Sequence, residues 1–374
     1  MIKELSETRS HLPLFDPAQK LKLGLFSINV SGGMMATTVP SSFELSWEHT
    51  IKIARLAEEI GFEALVPVGR WLGFGGKTNF AGSSFETYTW AAGLAQATDR
   101  IMVFATSHVP TIHPILAAKQ GATIDHISGG RFGLNMVMGW NRAEMEMFNG
   151  HQKEHDDRYR FGADWVTVLK RLWTEYDPVN YKGEFIEVLN AQALPKPIQS
   201  PHPVLVNAGS SPAGIDFSAK FCDVNLIGMG TFEMGKAGAA NVRKVARETY
   251  NRDISTMTYA TVVCRDSEAE AVRDYEAMVK SIDWEAIDNL VREFGLEGQS
   301  YGDSEAVRQL RTQFAMGWGG MTFVGTPEQV AEKLVQTHKV GMDGIMLGFN
   351  DYLPELEHFN RTVMPLLRQA GIRS

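Results

Sequence analysis

Cysteine is almost missing from this chain: its 374 residues contain two, Cys222 and Cys264. That count excludes a disulfide framework or a cysteine-rich metal site. Long apolar runs are also lacking. Nowhere do the ~18 consecutive apolar residues of a membrane span occur, and residues 1–20 are charged and broken by Pro13 and Pro17, with no signal-peptide core. Nor is there a basic footprint, since 36 Lys+Arg face 44 Asp+Glu for a formal net charge of −8. Nucleic acid and membrane are therefore excluded as principal partners, and a reducing cytoplasmic location is expected. What is present, 44% hydrophobic and 21% charged residues with 35 glycines and 15 prolines, is enough for a sizeable core.

Apolar runs that read as strands fall at 21–30, 63–68, 101–107, 131–138, 204–209, 223–228, 256–264 and 344–349, each followed by helical sequence. Several are near-continuous, as in parallel sheets buried on both faces. A doubly wound open sheet would alternate in the same way. Eight βα units in a chain longer than the ~250 residues of a typical barrel favour an α/β fold of the (β/α)8 TIM-barrel type with insertions. Residues 1–20 are expected to form a loose N-terminal arm and 21–374 a single domain. Two insertions interrupt the repeat: 180–197, which resembles a hairpin turning at Lys182-Gly183, and 281–322, a long irregular stretch expected to be a lid.

In such a barrel the chemistry sits at the C-terminal ends of the strands. The segment Gly73-Phe74-Gly75-Gly76-Lys77-Thr78 invites a nucleotide reading, but a P-loop needs glycine where Trp71 stands, and no G-x-G-x-x-G opens a helix after the first strand. It reads either as a flexible βα loop or as a ligand-facing one. Ala208-Gly209-Ser210-Ser211-Pro212-Ala213-Gly214 ends a strand and opens a helix, so it can cradle an anion on backbone N–H groups and hydroxyls; equally, Ser211 can simply N-cap the helix with Pro212 at N1. His151 and His155 lie four apart, yet the H-E-x-x-H pattern is absent and no metal is expected. Arg158 and Tyr159 nearby suit a phosphate clamp. His108, His113, Asn135 and Trp140 flank adjacent strand ends and can line one pocket. With no paired carboxylates, G-x-S-x-G or nucleophilic cysteine at those ends, hydrolysis has little support, and a cofactor is expected to carry the chemistry.

The run Ala122-Thr123-Ile124-Asp125-His126-Ile127-Ser128-Gly129-Gly130-Arg131-Phe132-Gly133-Leu134-Asn135, the Gly139-Trp140 pair, His155-Asp156-Asp157-Arg158-Tyr159 and the loop 207–214 together resemble bacterial-luciferase-like, two-component, FMNH2-dependent monooxygenases. Asn29-Val30-Ser31-Gly32-Gly33 and the run 154–160 resemble the dimethylsulfone monooxygenases. Gly73–Thr78 and the run 128–135 resemble the pyrimidine monooxygenases, and Met138 departs from both, where a small hydroxyl residue is expected before Gly139-Trp140.

The resemblance implies that a separate NAD(P)H:flavin reductase supplies reduced FMN, and that O2 reacts through a flavin peroxide to oxygenate a small organosulfur or pyrimidine-like substrate with C–S or C–N cleavage. It also implies a homodimer or homotetramer and no metal. Carried over position by position, it makes Val68, Gly69, Asn135, Glu144, Arg158, Tyr159, Ser210 and Ser211 the FMN-binding candidates. Asn135, Trp140, Thr106, His108, His113 and Arg70 become candidates for the catalytic and substrate pocket; Arg70 could hold a substrate oxygen or form a structural ion pair. A deazaflavin-dependent dehydrogenase of the same fold and a non-catalytic flavin-binding protein are the alternatives.

Overall fold

The computed structural model describes residues 9–150, 152–295 and 305–374. Along the chain, β1 (Lys22–Phe26), α1 (Trp47–Ile60), β2 (Ala64–Val66), α2 (Thr87–Ala97), β3 (Met102–His108), α3 (Pro114–Ile127) and β4 (Phe132–Val137) follow in strict alternation. The chain continues through α4 (Arg142–Met147), α5 (His155–Thr174), the strands β5 (Val179–Lys182) and β6 (Glu187–Ala191), β7 (Val204–Asn207), α6 (Pro212–Phe221), β8 (Val224–Leu226) and α7 (Phe232–Tyr250). It closes with β9 (Ser255–Cys264), α8 (Glu268–Lys280), α9 (Trp284–Glu293), α10 (Glu305–Gly317), β10 (Met321–Gly325), α11 (Pro327–Lys339), β11 (Gly344–Gly348) and α12 (Tyr352–Gln369).

Parallel pairing runs β9-β11-β1-β2-β3-β4-β7-β8, and β8 pairs back to β9, so eight strands close into a barrel. These are the eight strands expected from the sequence. The tenth strand, β10, was not expected: it pairs with the C-terminal half of β9, Met321 opposite Ala260 through Gly325 opposite Cys264. Beyond Met257, β9 no longer pairs with β8, and β10 runs along its upper half instead. The stretch 281–322, expected to be irregular, contains α9 and α10. The hairpin expected near 180–197 is β5–β6, with Tyr181 opposite Val188.

Local chemistry sets the helix ends. Ser46 accepts from the His49 N–H to start α1, and Gly61, at φ 97°, ends it in a left-handed turn no other residue adopts as cheaply. Thr326 and Gln329 form a reciprocal capping box at the start of α11.

Alternation along the strands sorts side chains. Phe132, Leu134 and Met136 point outward to the helices, while Ala64, Val66, Met102, Phe104, Val204, Val206, Val224, Leu226, Met257 and Met346 fill the barrel. Leu12, Leu14 and Phe15 join that inner cluster from the segment before β1. Arg9 is tied there too: its guanidinium lies 3.1 Å from Asp223 and donates to the His202 carbonyl at 3.0 Å. Arg9, Leu12, Leu14 and Phe15 of the arm expected over 1–20 are therefore packed against the barrel, and its residues 1–8 lie outside the described residues. Among the described residues, no helix is long and apolar enough to cross a membrane.

Candidate functional site

The inward period of two continues above this filled layer and builds the floor of a cavity. Phe26, Val68, Thr106, Asn135, Val137, Leu226 and Tyr259 line its lower part, and the cavity encloses about 630 Å³ at the C-terminal strand ends. Thr106 stands opposite Asn135 in the β3–β4 register. Asn135 Nδ2 donates to Thr106 Oγ1 at 3.2 Å, and Thr106 Oγ1 donates to the Pro67 carbonyl at 2.6 Å. Asn135 Oδ1 is left buried with no partner, an acceptor waiting for a donor that a ligand can bring.

One end of the cavity is a polar cradle. Arg158 and Tyr159 on the first turn of α5 and Ser210 and Ser211 on the loop after β7 all line it. Asn207 holds that loop from below: its Oδ1 accepts from the Gly209 N–H and the Ser218 hydroxyl, and Asn225 Nδ2 donates to the carbonyls of Asn207 and Gly209. The Tyr159 hydroxyl wedges into the turn so closely that a Cβ at Gly209 or Gly214 would lie 2.7 Å from it. Ser211 does cap α6, accepting from the Gly214 N–H. Ser210 and Ser211 both line the cavity, so the capped start of α6 borders it. Burial pushes the Tyr159 phenol up from its usual range, partly offset by Ser211 and Arg158. Arg158 Nε is buried without a partner.

The opposite wall is aromatic. Trp140 and Phe294 stack in parallel, with ring centroids 4.3 Å apart and planes 7° apart. On the other side of Trp140 lies the Arg70 guanidinium, 5.3 Å from that ring and 4.3 Å from Phe74. Both faces of Trp140 are thus occupied by protein. Phe74 comes from the glycine-rich loop, which is neither flexible filler nor a phosphate loop: Thr78 donates through backbone and hydroxyl to Asp283 Oδ2, and Asn289 donates to the Phe74 carbonyl. Its role is to dock α9 over the cavity.

Several expected site residues lie elsewhere. Arg70 and Glu144 do not line the cavity; they form a sealed ion pair at 3.1 Å, with side chains 0% and 1% exposed. Burial pulls Arg70 down to about 10 and pushes Glu144 up, each held back by the other. Glu144 also accepts from the Trp71 and Leu72 N–H groups. His113 is not brought to the cavity at all: it caps α3, accepting from Ile115. Val68, Gly69, Thr106, His108, Asn135, Trp140, Arg158, Tyr159, Ser210 and Ser211 are brought together.

Other lining residues escaped sequence reasoning. Tyr259 and Phe26 sit inside apolar strands and give no local signal, and Glu293, Phe294 and Trp318 come from the insertion. His155 lines the cavity as well; His151, its partner in the metal reading, lies outside the described residues. Among the described residues, no group of His, Cys, Asp and Glu is arranged to hold a metal.

A closed parallel barrel with a polar cradle and an aromatic-walled cavity at its C-terminal face defines an α/β-barrel protein with a ligand-sized cavity where barrel chemistry sits. The chain belongs to the luciferase-like monooxygenase family, whose family model matches residues 21–344. It is 31% identical over 358 residues to the FMNH2-dependent dimethylsulfone monooxygenase of Pseudomonas putida, covering 94% of this chain and 96% of that one. It is 33% identical over 359 residues to the pyrimidine monooxygenase RutA of Rhizobium rhizogenes strain K84, covering 93% and 96%. In fold it is similar to riboflavin lyase RcaE, solved with modified FMN and riboflavin, at a TM-score of 0.85 and 21% identity over 95% of this chain and 93% of that one.

Proposed function

We propose that this chain is a two-component monooxygenase that takes reduced FMN from a separate NAD(P)H:flavin reductase and uses O2 to oxygenate a small organosulfur or pyrimidine-like compound, cleaving a C–S or C–N bond. The observation that carries the proposal is the single cavity joining the Arg158–Tyr159–Ser210–Ser211 cradle to the unpartnered Asn135 Oδ1. A polar, phosphate-binding end and a ring-binding end within one cavity suit a flavin mononucleotide. Bound reduced FMN supplies the two electrons with which O2 is activated.

The chain's own residues do the rest. Arg158, Tyr159 and the N-terminus of α6 at Ser211 hold the phosphate, with Ser210 supporting it. Asn135, oriented by Thr106, accepts from the polar edge of the ring, while Val68 and Gly69 meet its face. Trp140 and Phe294 wall the reacting end and exclude water, which protects a reactive oxygen species from unproductive breakdown. Glu144 acts only indirectly, by neutralising Arg70 beneath this wall. The protein works as a homodimer or homotetramer in the cytoplasm, where its two buried thiols stay reduced.

Product analysis by mass spectrometry with FMN, NADH, a generic flavin reductase and a panel of sulfones, sulfonates and pyrimidines tests the proposal. An oxygenated, cleaved product that forms in air and disappears under anaerobic conditions is expected. Turnover persisting without oxygen would instead favour a deazaflavin-type dehydrogenase. Hydrogen peroxide release with every compound would favour a non-catalytic flavin carrier.

A further inference from the structure

The charge distribution around the cavity narrows the substrate. Among the described lining residues the positively chargeable side chains at one end are Arg158 and His155, both in the first turn of α5 beside the serine loop. Arg70, whose guanidinium lies 5.3 Å from the Trp140 ring, is sealed against Glu144 and contributes no lining surface to this cavity. The carboxylate that does line the cavity is Glu293, beside Phe294. On the monooxygenase proposal the α5 cations serve the FMN phosphate, so among the described lining residues the reacting end offers an anion no arginine or lysine and includes the carboxylate Glu293. Burying an unpaired anion there is costly.

What that end does offer is His108. Trp71 Nε1 lies 2.9 Å from His108 Nδ1. An indole N–H can only donate, so Nδ1 must be the acceptor and the imidazole proton sits on Nε2. Nε2 is 3.8 Å from Glu144 Oε2, and that carboxylate is already paired with Arg70. Protonating Nδ1 would break the Trp71 bond and place a second cation beside Arg70. Burial and Arg70 together push the imidazole down to about 3, and a hydrogen bond to the Gly69 backbone pulls it back up, so a substrate oxygen shares the Nε2 proton with that backbone carbonyl. His108 lines the cavity in one tautomer and one charge state.

We propose that the substrate is an uncharged small molecule carrying an oxygen acceptor, and that His108, locked by Trp71 as a neutral Nε2–H donor, is the group that binds this oxygen. A sulfonyl or ring-carbonyl oxygen meets that requirement, whereas a sulfonate or carboxylate does not. Trp71 is the positioning residue: its indole fixes the tautomer from outside the cavity, held by Glu144 through its backbone N–H and by the Phe148 ring at 4.9 Å. The proposal rests on the monooxygenase reading for its substrate and on geometry alone for the His108 lock.

Two measurements test the two parts. In 15N-histidine-labelled protein, with His108 assigned by comparison with H108Q, Nε2 should be pyrrole-like and Nδ1 pyridine-like and neither should titrate between about pH 5 and pH 8. W71F, which keeps an aromatic ring but removes the N–H, should mix the tautomers. A wild-type proton on Nδ1, titration in that window, or an unchanged W71F spectrum would overturn the lock. Kinetics then compare matched neutral and anionic pairs, dimethyl sulfone with methanesulfonate and uracil with orotate, in the presence of FMN and reductase. The neutral member of the active pair should show at least a ~10-fold higher kcat/KM. H108L should lower it by about tenfold or more through KM, with H108Q recovering part. Equal or better use of the anion, or a kinetically silent H108L, would overturn the substrate class. Peroxide release with no product from any of the four would count against the monooxygenase reading, and the nitrogen spectrum would still decide the His108 lock.

Discussion

Arg70 Nη2 stands 3.1 Å from Glu144 Oε1, and neither side chain reaches solvent. The Arg70 nitrogens Nε and Nη1 have no hydrogen-bond partner; the guanidinium instead lies over the rings of Phe74 and Trp140, an arrangement worth more when desolvated. Removing one charge of such a pair leaves the other buried and unpaired, which costs about 3–5 kcal/mol. E144Q and R70M should each lose stability in urea unfolding, and the double variant should recover much of the loss. Additive losses would mean that the two residues act independently.

Ser211 serves both as cap of α6 and as part of the cradle, and S211D separates the roles. Aspartate caps a helix as well as serine, so thermal stability should stay close to wild type. Its charge opposes a phosphate across a few ångströms, so FMN affinity by fluorescence titration should fall about tenfold or more. Undiminished affinity in a folded S211D would move the phosphate elsewhere.

On the far side of the barrel, Arg9 is 2% exposed and paired with Asp223. R9A should destabilise the fold by about 3–5 kcal/mol because Asp223 stays buried. FMN binding below the melting transition should be unchanged, since the cradle is at the opposite end of the strands. A drop in FMN affinity at full folding would contradict this separation.

Glu355 sets a pH dependence of known sign. Burial pushes its carboxyl up to about 7, with Arg265 pulling it back, and its Oε2 has no partner. An acid whose folded value lies above its ordinary 4.5 binds protons better in the folded state. Its stabilising contribution is complete below that ordinary value and is lost as pH rises through about 7. Melting temperatures should therefore fall less steeply over this range in E355Q than in wild type, and parallel slopes would refute the assignment.

Gly76 adopts φ 67°, and a Cβ there would come within 2.4 Å of Asp283 Oδ1, the carboxylate that receives Thr78. G76A should destabilise by about 1–3 kcal/mol and loosen α9. Hydrogen exchange of α9 amides should rise selectively; unchanged protection would show that the loop does not anchor the helix.

Much of this architecture was legible without coordinates. Runs such as those at 101–107 and 131–138 announce buried parallel strands because both faces of a barrel strand are apolar, and period two from Phe104 and Gly133 leads to Thr106 and Asn135. Met321–Gly325 was not legible: five residues after Gly319-Gly320 look like the tail of a loop, and their pairing with the upper half of β9 is a long-range event. Sequence proximity also misled. His113 lies five residues beyond His108, yet it caps a helix while His108 lines the cavity.

The order of elements, the barrel class, the serine loop at a helix start and the Arg158-Tyr159 pair were determined by the sequence itself, because periodicity, capping and turn chemistry act over a few residues. Which cation is spent on a carboxylate, which tautomer an imidazole keeps and whether a glycine-rich loop meets a ligand or a helix were decided only by the tertiary structure. Those outcomes depend on burial and on partners such as Glu144, Trp71 and Asp283, brought from 74, 37 and about 200 positions away, and no local pattern encodes a contact of that range.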